Sequence, residues 1–225
     1  MTNLHLDTRR HMELFDAYKF GDTPVHIIGA GATGSWLAYQ LAKLGISNIT
    51  VYDFDVVEEH NIPNQLYGMA DVGKPKVEAL AEMIKHQTGL DIKTHNARFE
   101  GGAYLSGYVF VMVDSMASRK DIVDKSIKFK SAVKLAIEPR MGLNEGRVYN
   151  LEPMNLAHHR GWDAAWYPDD EAEVSACGAS QSVITTALHI AAICARQLIN
   201  HFNGVELSNE ILIDPMYNNV YPTTW

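Results

Sequence analysis

Apolar and polar stretches alternate along the chain in a way that predicts an α/β fold. Short apolar runs are typical of buried strands, and longer stretches with spaced apolar residues are typical of helices. The predicted strands are Val25–Ile28, Asn48–Tyr52, Asp91–Ala97, Tyr108–Val113, Ala132–Ile137, Gly146–Leu151 and Ile211–Ile213, and the predicted helices are Leu4–Tyr18, Thr33–Leu44, Lys74–His86, Ala117–Phe129 and Ala179–Asn200. This alternation favours a Rossmann-like, mostly parallel sheet flanked by helices, with antiparallel strands toward the C-terminus.

Two polar stretches interrupt the alternation. Residues 55–71 form a polar connection that contains Pro63, and residues 154–176 are predicted to be a long crossover loop. A loop of that length is uncommon in a compact domain unless it has a task, although a floppy insertion is an equally good interpretation. We expect one domain over residues 1–225, with an N-terminal helix within residues 1–22.

Composition excludes several classes of protein. The net charge is −8 and no run of Lys or Arg exceeds two residues, which argues against a nucleic-acid partner. The polar N-terminus lacks the apolar core of a signal peptide, and the apolar stretch 183–199 contains His189 and Arg196, so we expect a cytoplasmic protein without a membrane partner. The two cysteines, Cys177 and Cys194, cannot form a four-cysteine zinc site.

A glycine-rich turn is the first candidate for chemistry. Gly29, Gly31 and Gly34 form a G-x-G-x-x-G pattern between a predicted strand and a predicted helix. Such glycines let the backbone approach a phosphate, and the helix N-terminus supplies N–H donors. The pattern therefore indicates a nucleotide site, and a tight turn that binds nothing is the alternative.

The residues that follow the second strand narrow the choice of nucleotide. Asp53 lies about 20 residues beyond the turn, where a carboxylate can hold the ribose of either NAD or ATP. The polar stretch from Asp53 to Gln65 and the lysine Lys76 have no task in a dehydrogenase. They suit an enzyme that works on the α-phosphate, because a lysine near a helix start neutralises phosphate charge.

This segment carries a resemblance to a known family. The family pattern D-x-D-x-V-x-x-x-N-L-x-R-Q, followed by G-x-x-K, is matched by Asp53, Asp55, Val57, Asn61, Ile62, Asn64, Gln65, Gly73 and Lys76. Across nearly its whole length the chain resembles the ThiF/MoeB/HesA superfamily of adenylating enzymes, which are related to the ubiquitin-activating enzymes. The resemblance implies an adenylyltransferase that uses ATP and Mg²⁺ to activate the C-terminal carboxylate of a ubiquitin-like protein or peptide as an acyl adenylate.

The resemblance also implies roles for individual residues. Asp53 would hold the ribose, Lys76 would contact the phosphates, and Asp114 would bind Mg²⁺, although Asp114 is also suited to cap the helix that follows. The nucleotide pocket would be completed by Asp55, Asn61, Asn64, Gln65 and Ser115.

Two further residues extend the prediction. Family members are usually homodimers in which an N-terminal arginine reaches the partner's site, and Arg10 is favoured slightly over Arg9. Cys177, just before the last helix, matches a cysteine that forms a covalent link in sulfur-transfer members, and a buried structural thiol is the alternative.

One departure from the family pattern is Asn64, which stands where the pattern has a phosphate-binding arginine. The zinc-binding pairs of many members are also absent from the sequence, and the length leaves no room for a ubiquitin-fold or cysteine domain, so the chain resembles a minimal, zinc-free member. Two alternatives stay open: an NAD-dependent oxidoreductase, and a nucleotide-binding relative without turnover.

Overall fold

The computed structural model describes residues 6–142, 145–171 and 183–225. Its strands are β1 (Val25–Ile28), β2 (Ile49–Asp53), β3 (Lys93–Asn96), β4 (Gly107–Val111), β5 (Val133–Met141), β6 (Gly146–Leu151), β7 (Glu210–Asp214) and β8 (Asn219–Thr223). Its α-helices are α1 (Ala17–Phe20), α2 (Ala32–Lys43), α3 (Lys76–Thr88), α4 (Met116–Ile122), α5 (Leu156–Ala164) and α6 (Ile184–Phe202).

All eight strands form one mixed sheet in the order β3-β2-β1-β4-β5-β6-β7-β8. The five strands from β3 to β5 are parallel, and β6, β7 and β8 add on as antiparallel neighbours. This arrangement confirms the predicted fold class. Strand β8 was not predicted, because its five residues are all exposed and the strand contains Pro222.

Helices cover both faces of the sheet, which explains why the central strand β4 is buried and apolar throughout. In β4, Tyr108 and Phe110 belong to the core beneath α2 and α6, whereas Val109 and Val111 face a second core that includes Trp162 of α5. A strand buried on both faces reads as a continuous apolar run rather than as an alternating one. Among the described helices, none is long and apolar enough to span a membrane.

The predicted N-terminal helix is wrong over most of its length. Within its described part, residues 6–18, the α-helix begins only at Ala17 and runs to Phe20, and the Asp16 side chain caps it by accepting hydrogen bonds from two backbone N–H groups. The chain before Asp16 forms turns, in which His11 N–H donates to the Thr8 carbonyl and Phe15 N–H to the His11 carbonyl. Phe15 is buried while Leu14 is 62% exposed, so the apolar residues anchor a turn instead of lining a helix face.

The predicted loop over residues 154–176 is also wrong in its first part. Helix α5 begins after Asn155, whose side chain caps the helix by accepting hydrogen bonds from the Ala157 and His158 N–H groups. Trp162, a residue of this helix, is fully buried. A helix of nine residues with two histidines and a glycine is too short and too polar for its periodicity to be recognised in the sequence.

The helix predicted over residues 117–129 is divided. Helix α4 ends at Ile122, and Val123–Ile127 continues as a π-helical segment. Phe129 then adopts a φ of 58°, which ends the helical stretch. The break comes at the end of the helical stretch, away from the carboxyl ends of the strands. The start of α4 therefore remains beside those strand ends.

A candidate nucleotide-binding cleft

A cleft of about 1100 Å³ lies at the carboxyl ends of the parallel strands. Strand order reverses at β1, since β2 and β3 lie on one side of it and β4 and β5 on the other. Ligands of open α/β sheets bind in the crevice at such a switch point. The cleft is lined by the following residues of the predicted site: Gly29, Gly31, Asp53, Asp55, Asn61, Asn64, Gln65, Lys76, Asp114 and Ser115.

The glycine turn connects β1 to α2. Two of its glycines are closely packed against neighbouring backbone, and the third has open space beside it. Gly29 has a φ of 104°, and a Cβ there would lie 2.6 Å from the Met112 carbonyl oxygen. A Cβ on Gly34 would overlap the Gly29 carbonyl oxygen, which explains why Gly34, although outside the lining, is a glycine. A Cβ on Gly31 would meet nothing within 4 Å among the described atoms, so Gly31 leaves room for a ligand at the start of α2.

A buried tyrosine fixes this turn. The Tyr67 hydroxyl donates a hydrogen bond of 2.7 Å to the Ala30 carbonyl. Burial, reinforced by the negative charges of nearby aspartates, raises the pKa of Tyr67, so the phenol remains a neutral donor. The hydrogen bond from Tyr67 therefore stabilises the conformation of the glycine turn.

Asp53, at the end of β2, is tied to the same turn. Its Oδ2 accepts a 2.6 Å hydrogen bond from the Ala30 N–H, and its Oδ1 accepts a 2.8 Å bond from the Asp55 N–H. The carboxylate is thus oriented beside the glycine turn, as ribose binding requires. Its predicted contact with the ribose hydroxyls stays a prediction.

Lys76 lies at the first position of α3 and points into the cleft. Its side chain is only 8% exposed, and its Nζ is 2.9 Å from Asp55 Oδ2. The backbone adds a second link, since Lys76 N–H donates to the Asp55 carbonyl. A buried ammonium held by one carboxylate is a strong local charge for an incoming phosphate, and the pairing brings together two residues that are 21 positions apart in the sequence.

The remaining pocket residues come from the connection between β2 and α3. Asn61 is buried, and its Oδ1 accepts the Glu58 N–H at 2.9 Å, which closes a short 3₁₀ turn. The Asn64 carbonyl accepts a hydrogen bond from Trp36 Nε1. Gln65 Oε1 is buried and has no hydrogen-bond partner among the described residues, so the cleft contains an acceptor that a ligand can satisfy.

Asp114 lies three residues after the end of β4, is exposed, and lines the same cleft. Its Oδ1 accepts the Ser115 N–H, whereas the cap of α4 is Ser115, whose Oγ accepts the Ser118 N–H. The alternative in which Asp114 caps α4 is therefore wrong. The Ser115 hydroxyl also donates to Asp169 Oδ2 at 3.0 Å.

The donor set fits Mg²⁺ bound together with phosphate. Within the described residues, no group of three or more His, Cys, Asp and Glu side chains is arranged to hold a metal on its own. Mg²⁺ usually binds one or two carboxylates and takes its other ligands from phosphates and water. Asp114, which lines the same cleft as the glycine turn, suits that mode of binding.

The structure adds lining residues that the sequence reasoning missed. Phe54, Arg98 and Phe99 follow directly on the ends of β2 and β3, and Arg119 lies one turn into α4. The missed signal was their position, because the carboxyl ends of parallel strands meet at one edge of the sheet. With Lys76, the two arginines give the described cleft lining three permanently charged cations.

Arg119 connects the cleft to a buried charge network. Its guanidinium and that of Arg140 both pair with Glu138, which is fully buried, and Trp162 Nε1 donates to the same carboxylate at 2.9 Å. Two guanidiniums face one carboxylate, so this group carries one excess positive charge. Arg119 Nε is buried and has no hydrogen-bond partner among the described residues.

Two predicted residues are not brought to the cleft by the described chain. Arg10 is exposed on the N-terminal turns, outside the cleft lining, and Arg9 pairs with Asp7 at 2.6 Å. Cys177 lies outside the described residues. Cys194 is fully buried in α6, as expected of a core thiol.

Comparison with known proteins identifies relatives of this chain. The sequence profile of the ThiF family matches residues 10–222. The catalytic subunit of the NEDD8-activating enzyme E1 from Arabidopsis thaliana is 40% identical over 76 residues, which are 33% of this chain and 17% of that protein. The molybdopterin-synthase adenylyltransferase of Escherichia coli is 39% identical over 64 residues, which are 28% of this chain and 26% of that protein. The matched segments thus span a quarter or so of these relatives at most.

Solved structures share the fold over the whole chain. The structure of E. coli MccB with AMPCPP and MccA superposes with a TM-score of 0.72 and covers 99% of this chain and 72% of that chain. Its sequence identity is 15%, so the similarity is one of fold.

Proposed function

The chain belongs to the ThiF family, and on that premise we propose that it is an ATP-dependent adenylyltransferase acting on the C-terminal carboxylate of a ubiquitin-like protein or peptide. The observation that carries the proposal is the buried Lys76–Asp55 pair, which lies in one cleft with the glycine turn, Asp53 and Asp114. Hydride transfer develops no charge on the phosphates, so it gives this lysine no catalytic role, whereas attack on the α-phosphate does. The names of the two relatives, an activating enzyme and an adenylyltransferase, support the same chemistry.

In the proposed reaction, a carboxylate oxygen of the acceptor attacks the α-phosphorus of ATP. The new bond joins that oxygen to phosphorus, and the bond from the α-phosphorus to the bridging oxygen breaks. Pyrophosphate leaves with the electron pair, and the acceptor becomes an acyl adenylate. Positioning and charge stabilisation supply most of the catalysis in phosphoryl and nucleotidyl transfer.

Different residues of the cleft have different roles in this reaction. The N–H groups of the glycine turn and the start of α2 receive the phosphates, and Asp53 orients the ribose. Lys76 exchanges part of its contact with Asp55 for phosphate oxygens, which neutralises the charge that develops on the leaving group. Mg²⁺, held by Asp114 together with the phosphates, would supply further charge neutralisation.

Asn64 removes a cation that the family pattern places beside the phosphates. Arg119 is the substitute that we propose, because it lines the cleft and belongs to a network with one excess positive charge. Both arginines bond Glu138 and a backbone carbonyl, that of Pro139 for Arg119 and that of Ala165 for Arg140, but Arg140 does not line the described cleft. A relative that binds nucleotide without turnover is the second candidate, and the Asn64 substitution is the observation that favours it.

Pyrophosphate exchange tests the proposal. Wild-type protein should exchange labelled pyrophosphate into ATP when Mg²⁺ and an acceptor peptide with a free C-terminus are present. Lys76→Ala should reduce the exchange rate by about a hundredfold or more. Lys74→Ala is a matched control, since Lys74 is 41% exposed, pairs with Asp71 and Glu82, and lies outside the cleft.

Three results separate the alternatives. ATP binding without exchange for any acceptor would favour the relative without turnover. Stronger thermal stabilisation by NADH than by Mg-ATP would favour an oxidoreductase. Exchange that Lys76→Ala leaves unchanged would contradict the assigned mechanism.

The homodimer with Arg10 in the partner's site is part of the proposal. Its support is the exposure of Arg10, which leaves the guanidinium accessible to a second copy. If the site is composite, Arg10→Ala and Lys76→Ala should each be inactive alone and should recover part of the exchange activity when mixed, because mixed dimers contain one intact site. A monomer in solution, or no recovery on mixing, would remove this part of the proposal.

A further inference from the structure

One end of the cleft has an aromatic and cationic surface that the roles above do not use. Phe54 follows β2 directly, and the Arg98 guanidinium carbon lies 4.2 Å from the centre of its ring. Both residues line the cleft. Phe54 is still 49% exposed, although Arg98 covers part of its ring. An exposed phenylalanine stacked on an arginine offers a planar surface to a third planar group.

The order of the strands places this surface where a base belongs. The phosphate-binding turn follows β1, and the ribose carboxylate Asp53 ends β2, the next strand outward. A nucleotide laid along that direction puts its base beyond β2, toward the end of β3. Arg98 and Phe99 follow β3, and Phe99 packs edge-on against Tyr52 with ring centres 5.1 Å apart, which makes the wall rigid.

We propose that the Phe54–Arg98 pair is the platform on which the purine base of the nucleotide stacks. The inference rests on the proposed function and adds the residues that recognise the base. The ring and the guanidinium stack on any π-face, and a guanidinium only donates hydrogen bonds, so it suits the acceptor nitrogens of a purine. Because stacking strength grows with ring size, the platform selects purines over pyrimidines.

Nucleotide titrations of two exposed positions test the platform. Dissociation constants for ATP, CTP and inorganic tripolyphosphate are measured by calorimetry with the wild type, Phe54→Ala and Arg98→Ala. Phe54→Ala should weaken ATP binding by about tenfold. Tripolyphosphate binding should stay unchanged, and the preference for ATP over CTP should shrink. Tyr104→Ala is the control, since Tyr104 is 80% exposed and lies outside the cleft lining.

The outcomes distinguish this inference from the function on which it rests. If the wild type exchanges pyrophosphate but both variants bind ATP as tightly as it does, the platform is overturned and the adenylyltransferase stands. An equal loss of ATP and tripolyphosphate affinity in Phe54→Ala also overturns it, because that loss reports a disturbed phosphate site. A selective loss of ATP affinity, with unchanged melting temperature, supports it.

Discussion

Each glycine of the turn has its own physical reason. Gly29 needs a positive φ, Gly34 needs contact with the Gly29 carbonyl, and only Gly31 has open space where a side chain would lie. A pattern of three glycines in a sequence does not reveal this division. The structure separates the two glycines that the packing of the turn requires from the one that has open space beside it.

Alanine substitutions at two of these glycines should therefore affect different properties, ligand affinity in one case and stability in the other. Gly31→Ala should change the free energy of unfolding by less than about 1 kcal/mol, since Gly31 is the N-cap of α2 and its Cβ meets no neighbour. The affinity of the Gly31→Ala protein for ATP should fall, because the added methyl group occupies the space in which a phosphate would approach the backbone. Gly34→Ala should cost about 1–3 kcal/mol or more of stability, because the Gly29 backbone must move.

Urea unfolding and ATP titration of both variants measure these effects. A Gly31→Ala protein that is strongly destabilised, or one that binds ATP as the wild type does, would contradict the assignment of Gly31 to the ligand.

Glu138 is the residue on which the buried charge network depends. Glu138→Gln removes the carboxylate that faces Arg119 and Arg140, and it leaves two buried guanidiniums without a counter-charge. Breaking a buried ion pair from one side costs about 3–5 kcal/mol, so the urea midpoint should fall markedly. Glu152→Gln, at an exposed position, serves as the control and should leave it near the wild-type value.

At the residue scale, sequence reasoning found the polar half of the site. Asp53, Asn61, Lys76 and Asp114 stand in spacings that a pattern reveals, and all of them line one cleft. Their individual roles remain predictions. Arg119 escaped notice because its importance comes from a contact with Glu138, which lies 19 positions away in the chain.

At the scale of elements, the stretch from α5 to Glu171 is fastened to the start of α4. Trp166 Nε1 donates to the Met116 carbonyl at 3.0 Å, and Asp169 accepts hydrogen bonds from the Met116 and Ala117 N–H groups. These contacts hold the turn that carries Asp114. The segment thus supports one wall of the cleft, a task that a floppy insertion lacks.

The Asp169 contact makes this attachment sensitive to acid. Burial acts to raise the pKa of Asp169, but the hydrogen bonds from Met116 and Ala117 outweigh it and lower the pKa. The ionised carboxylate therefore stabilises the fold above the ordinary aspartate pKa of about 3.9, and this contribution is lost as the pH falls through the lowered value.

The corresponding test compares wild type with Asp169→Asn. The wild type should be more stable at pH 7, by less than about 1 kcal/mol because solvent screens an exposed group, and the advantage should shrink near pH 3. Urea midpoints of both proteins across that range measure it. An advantage that stays constant with pH would show that the charge of Asp169 is not involved.

The two wrong elements have the same origin. Residues 4–18 have apolar spacing, but the described part, residues 6–18, has no continuous buried face, whereas α5 has a buried face without clear apolar spacing. Local periodicity predicts a helix only when the helix buries one stripe against a core. In both segments a large aromatic residue, Phe15 or Trp162, anchors the chain in a core.

At the scale of the whole molecule, three half-buried histidines should make stability depend on pH near neutrality. Burial lowers the pKa of His26, His158 and His201 below the usual value. Each stays neutral in the folded protein at a pH where the unfolded chain already binds a proton. The free energy of unfolding should therefore decrease as the pH falls from about 7.5 through the ordinary histidine pKa of about 6.5.

Urea unfolding at pH 7.5 and 5.5 measures this trend. His26→Gln should flatten it in part, because a glutamine side chain does not titrate. A stability that rises between pH 7.5 and 5.5 would contradict the lowered pKa values.

The architecture as a whole was the most predictable level. The alternation of strands and helices predicted the parallel half of the sheet, because its buried strands contain runs of apolar residues, most clearly in β4. The outer strand β8 escaped prediction because none of its residues is buried, so its sequence carries no core signal.

The division of the sheet has a practical consequence for engineering. No described residue of β6, β7 or β8 lines the nucleotide cleft, and β7 and β8 are joined by a short exposed turn, 215–218. A reporter peptide or a binding epitope inserted in that turn would protrude from the far edge of the sheet. The molecule thus offers an attachment point for labels and surface immobilisation beside the outer strand β8, several strands away from its glycine turn.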